Sequence, residues 1–118
     1  MKTDRELLEA AATSYWGEEV DDVCSIRWLE ADQAIGYTHG DNQDHNGQDR
    51  EFVWNPLTED GDALRLAVKL GLEVGHNSFG NVIVDHYTQR KIVLPHGDDR
   101  YAATRRAIVR AAAAMVER

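Results

Sequence analysis

Apolar and polar positions along this chain change period several times, and each change marks an element. Leu7, Leu8, Ala11, Ala12 and Tyr15 recur at helical spacing near the start. Thr3 and Glu6 precede them at capping-box spacing, in which each side chain satisfies the other residue's free backbone N–H. Gly17 is a natural stop. From Cys24 the period falls to two. Cys24, Ile26 and Trp28 share one side and Ser25 and Arg27 the other, the pattern of a half-buried strand. Further strands are predicted over 34–38 and 51–54. His39 to Arg50, between them, is polar, contains glycine and has no period, so it reads as an exposed loop.

A second helix follows Asn55-Pro56, with Thr58 as its predicted N-cap and Glu59, Asp60 and Asp62 in the first turn, where the helix dipole favours negative charge. Leu64, Ala67, Val68 and Gly71 form its apolar face, Leu66 and Leu70 widen that face, and Gly71 ends the helix. Val82–Tyr87 and Lys91–Leu94, rich in β-branched residues, flank the short polar turn Thr88-Gln89-Arg90 as a hairpin. Asp98 or Asp99 caps a last helix with Tyr101, Thr104, Ile108, Ala111 and Met115 in a stripe. The predicted order is α-β-β-β-α-β-β-α. The fold class is α+β: a mainly antiparallel sheet of four or five strands packed between or against three helices, an α-β-α sandwich. No repeat, low-complexity tract or linker divides residues 1–118, which read as one domain.

Composition narrows the class. With 118 residues, 42% apolar and 29% charged, the chain has the make-up of a globular domain with its own core. No apolar run approaches the roughly 20 residues that span a bilayer, and the charged start lacks a signal peptide's apolar stretch. Cys24 is the only cysteine, so no internal disulfide forms, and a cytoplasmic location is expected. The net charge of −8 is uneven. Residues 1–62 hold 16 acidic and 4 basic side chains, and residues 63–118 hold 5 and 9. An acidic surface opposes nucleic-acid binding, which depends on neutralising phosphates.

Three stretches carry a family resemblance. They are Trp54-Asn55-Pro56-Leu57-Thr58-Glu59-Asp60-Gly61-Asp62-Ala63-Leu64-Arg65-Leu66-Ala67-Val68-Lys69-Leu70-Gly71, then Tyr101-Ala102-Ala103-Thr104-Arg105-Arg106-Ala107-Ile108-Val109-Arg110-Ala111-Ala112-Ala113, and Asp4-Arg5-Glu6-Leu7-Leu8-Glu9 near the start. Together they resemble the phage ABA sandwich family, small hypothetical proteins of tailed phages and prophages. The resemblance spans almost the whole chain except residues 30–50. It implies a helix–sheet–helix sandwich and an accessory protein of the host-cell cytoplasm. It supplies no activity, cofactor or catalytic residue.

Candidate chemistry is sparse. Asn42, Asp44 and Asn46 fall at positions one, three and five of an EF-hand loop with Gly47 at six. Position twelve is Val53, where a bidentate carboxylate is required, and no helices flank the segment. His39, His45, His76, His86 and His96 form no helical metal pair. His86 and His96 flank the predicted hairpin, with Asp85 and Asp98 nearby. No nucleophile elbow or phosphate-binding glycine loop is present. Capping and dipole complementarity account for Asp60 and Asp62. Trp28 reads as core, and Trp54 as a brace at the helix entrance. Trp16, at the frayed end of the first helix, reads as exposed and able to anchor a partner. Asp41, Asp44 and Asp49 on the polar segment complete the candidate partner-binding residues.

These readings lean away from catalysis, with no catalytic residue, cofactor or metal assigned. The expected function is a non-enzymatic phage accessory protein that binds a host or phage protein. One form of it is an acidic inhibitor of host defence whose carboxylates imitate a phosphate backbone. The alternatives are a self-associating structural protein, a homodimer packed through Ala111–Ala114, and a metal-dependent enzyme using the histidines. No membrane partner is expected.

Overall fold

The computed structural model describes residues 2–17, 24–43, 49–86 and 91–116. Helix α1 spans Asp4–Trp16 and opens on the anticipated capping box: the Thr3 hydroxyl accepts the Glu6 N–H, and the Glu6 carboxylate accepts the Thr3 N–H. Strands β1 (Cys24–Leu29), β2 (Ala34–Gln43) and β3 (Asp49–Trp54) form one antiparallel sheet in that order. Helix α2 (Asp60–Leu70) follows. Strands β4 (Glu73–His76), β5 (Asn81–Asp85) and β6 (Ile92–Pro95) form a second antiparallel sheet, again in chain order. Helix α3 (Arg100–Ala114) ends the fold; the Asp99 carboxylate accepts the Tyr101 and Ala102 N–H groups, both at 3.0 Å. Among the described residues no helix is long and apolar enough to cross a membrane.

The class is α+β with antiparallel pairing, but the strands divide into two three-stranded sheets rather than one sheet of four or five. The first sheet packs on α1 and the second on α3 through β5 and β6, while α1 packs along α3. Contacts of Asp4 with Arg106 and of Ser14 with the Ala112 carbonyl show that α1 and α3 run in the same direction. The core is continuous across the helices: Leu8, Ile35, Trp54, Leu66, Val84 and Val109 are all fully buried in one cluster.

Several sequence expectations require correction. Residues 39–43 and 49–50, expected to be loop, are strand. β2 runs on to Gln43, and β3 begins at Asp49, with a register shift between Thr38 and Gln43. Backbone pairing extends this ribbon where side-chain alternation gives no signal. Strand β4 was missed because all four of its residues are exposed, so no buried face imposes a period on it. Thr58 does not cap α2. Glu59 holds that position without a side-chain bond, and Thr58 closes a turn on the Asn55 carbonyl. The buried face of α2 is Asp62, Ala63, Leu66 and Ala67, rotated from the expected one, and it leaves Leu64 and Val68 exposed. In α3, Ala111, Ala112 and Ala113 are buried inside the fold, so they offer no surface for self-association.

Gly71 ends α2 as anticipated. Its left-handed backbone, with φ of 67°, lets the Leu72 N–H reach the Ala67 carbonyl at 2.9 Å. The chain then turns directly into β4, which places this strand beside α2.

Candidate functional site

The expected partner anchor Trp16 is not on the surface. It is 7% exposed and packs against Tyr15, Tyr37 and Trp54, with ring centroids 4.9, 5.1 and 4.9 Å away. An aromatic side chain at a helix end has enough reach to close over a neighbouring sheet, and here it fills the gap between α1 and β2. Asp41 lies on β2 and Asp49 opens β3, while Asp44 lies outside the described residues. Asn42 is within β2, while Asn46 and Gly47, two other positions of the EF-hand spacing, lie outside the described residues. His39 is also on β2, and His45 is outside the described residues. No group of three or more metal-ligating side chains occurs among the described residues.

An apolar groove lies elsewhere, at α2, α3 and β4. Cross-strand neighbours point to the same side of a sheet. Val74 is opposite Val84 and His76 opposite Val82, so Val74 and His76 face inward with them. Val82 and Val84 are completely buried beneath α3, yet Val74 and His76 are exposed, because among the described residues no helix covers the β4 edge. What remains is an open groove of about 340 Å³. Ala63 and Ala67 form its floor by contributing almost no bulk, and Leu64, Val74 and Tyr101 form apolar walls. Leu64 is 63% and Tyr101 69% exposed, which is costly for large apolar groups in water.

Charged groups sit at the rim. Asp60 is matched by Arg105, whose guanidinium donates to it at 2.7 Å and to the Leu57 carbonyl at 2.8 Å. Arg100 makes no ion pair among the described residues. It lies close enough to His96 to disfavour a second positive charge there.

The histidine that meets His96 is His76, not His86. His76 Nδ1 and His96 Nε2 are 2.8 Å apart. Burial first, then Arg100 and His76, hold His96 below the ordinary imidazole pKa of 6.5, so it is neutral near pH 7. Its Nδ1 is buried without a hydrogen-bond partner among the described residues. If His96 Nε2 donates, the orphan is a lone pair rather than an unpaired N–H. That tautomer places the remaining N–H of the pair on exposed His76, beside the groove.

Sequence reasoning missed this site for two reasons. Its histidines are 20 residues apart and come together only through the register of β4, β5 and β6. Helical spacing also gives every apolar residue of α2 to the core, whereas Leu64 and Val68 are exposed. One signal was available: α2 has more apolar positions than a single buried face can use.

The groove has binding geometry, and its polar groups form neither a nucleophile–base pair nor a metal centre among the described residues. No family model, no curated protein and no solved structure matches this chain.

Proposed function

We propose that this chain is a non-enzymatic accessory protein of phage or prophage type that binds a host or phage protein through the groove of α2, α3 and β4. The observation that supports this reading is the uncovered inner face of β4, where Val74 and His76 continue a buried sheet face into solvent opposite exposed Leu64 and Tyr101. Burying apolar surface of this kind is the main gain in protein association. The polar rim, where Asp60 pairs with Arg105 and Arg100 makes no ion pair among the described residues, resembles the edge of a recognition site.

The test compares the tagged protein with Leu64→Glu and Tyr101→Ala variants in affinity capture from bacterial lysate, with and without infection. Both substitutions are at exposed positions, so the fold is retained. Val53→Thr, on the first sheet and outside the groove lining, is the control. Capture of one protein that both groove variants lose and the control keeps supports the reading. A partner indifferent to both variants refutes the groove as its site.

A further inference from the structure

The backbone of β4 identifies what the groove accepts. In an antiparallel pair, alternate residues direct both N–H and C=O toward the neighbouring strand, and the intervening ones direct both away. The Asn77 N–H donates to the Asn81 carbonyl at 3.0 Å, which fixes this phase at the end of the β4–β5 hairpin. Counting back along the register, Gly75 and Glu73 turn toward β5, and Val74 and His76 turn their N–H and C=O outward. Among the described residues no other strand pairs with this edge. The two residues whose side chains line the groove therefore also offer the unpaired backbone groups beside it.

We propose that the occupant is an extended segment of the partner protein, added as a strand along β4, with apolar side chains at alternate positions in the groove and a carboxylate on Arg100 and His76. This rests on the reading of the groove as the protein-binding face. An extended segment is favoured over a helix because a helix satisfies its own backbone and leaves the β4 edge unused. Period-two side chains match a floor made of Ala63 and Ala67, which admits small apolar groups. The carboxylate follows from charge: Asp60 is already matched by Arg105, while Arg100 makes no ion pair among the described residues and His76 lines the same groove.

The test screens short synthetic peptides with free carboxyl termini against the full chain and titrates the best binder by fluorescence anisotropy. Sequences that alternate apolar and polar residues are expected. N-methylation of a peptide amide that faces β4 weakens binding by about tenfold or more, and methylation of the intervening amides leaves it unchanged. Arg100→Gln weakens binding by a similar factor, Arg100→Lys restores part of it, and the exchange of the Val74 and His76 amides slows on binding. A binder with helical periodicity that ignores N-methylation overturns strand addition while leaving the groove as the binding face. A binder unaffected by Arg100→Gln overturns the carboxylate assignment. A dimer of this chain sealed edge to edge through β4, seen by sedimentation of the protein alone, overturns the peptide occupant. Absence of any peptide binder does so too, and the lysate variants then judge the groove separately.

Discussion

Replacing Trp16 by alanine distinguishes a core tryptophan from a surface anchor by a wide margin. The indole is 7% exposed and touches three other aromatic rings within 5.1 Å. Truncating a buried tryptophan costs about 3–5 kcal/mol, because the lost transfer energy is joined by a cavity that neighbours only partly refill. Ring–ring contacts are worth about 0.5–1.5 kcal/mol each beyond area, and three of them place Trp16→Ala near the upper end, at about 4–5 kcal/mol. A domain of 118 residues unfolds with an entropy of about 0.25 kcal/mol/K. The same loss therefore lowers the melting temperature by roughly 16 °C or more. Urea titration followed by far-ultraviolet circular dichroism reads it directly, and Trp16→Phe, which keeps most of the ring contacts, loses about 1–2 kcal/mol. A Trp16→Ala protein within about 1 kcal/mol of wild type would refute the aromatic packing and return Trp16 to the surface.

Other substitutions probe separate parts of the fold. Asp62 accepts the buried Asn55 N–H at 3.0 Å and pairs with Arg65 at 2.6 Å; Asp62→Ala is expected to cost about 1.5–3 kcal/mol in urea titration, and Asp62→Asn less. A Cβ on Gly36 meets Leu29 Cγ and Cδ1 at 2.8 Å, so Gly36→Val lowers the urea midpoint by the equivalent of about 1–3 kcal/mol. His96 is held neutral in the fold and gains a proton in the unfolded chain near its ordinary pKa of 6.5, so stability is level above that pH and falls as pH drops below it. Urea midpoints at pH about 7.5 and 5.5 should show this fall, and His96→Leu should remove its share. Glu6 and Glu51 have lowered pKa values, so their contributions are lost only at still lower pH, below about 4.5. Trp54 Nε1 is buried without a partner among the described residues, so Trp54→Phe gains back about as much as its smaller ring loses and is expected to change stability by under about 1.5 kcal/mol.

Local signals were readable from the sequence wherever the deciding interactions are local. The Thr3–Glu6 box, the Asp99 cap and the left-handed Gly71 each depend on a few neighbouring residues, and each forms as its spacing dictates. Strands β1, β5 and β6 have burial-driven patterns and were found with small shifts at the ends. The errors have a common origin in contacts between elements. Helix α2 is apolar on two sides, through Ala63 and Leu66 and through Leu64 and Val68, and periodicity alone does not say which side the core takes. Helical spacing alone leaves Trp16 at a frayed end, because its neighbour across the gap, β2, is not visible from that spacing. The groove itself needs three elements at once, and β4 has no pattern until β5 pairs with it. A polar stretch such as 39–43 joins a strand for the same reason, through backbone bonds to a partner strand.

The short length of β4 also governs what its open edge does in a crowded solution. Four residues at about 3.3 Å each give an edge of roughly 13 Å, shorter than the six- or seven-residue segments that stack into fibrils. Glu73 at one end and Gly75 in the middle further disfavour growth, since a repeated charge repels itself along a stack and glycine packs no side chain. At the opposite edge of the sheet, β6 ends in Pro95, which has no N–H to offer an incoming strand. The second sheet is thereby suited to one short pairing event on one side and is poorly suited to polymerising.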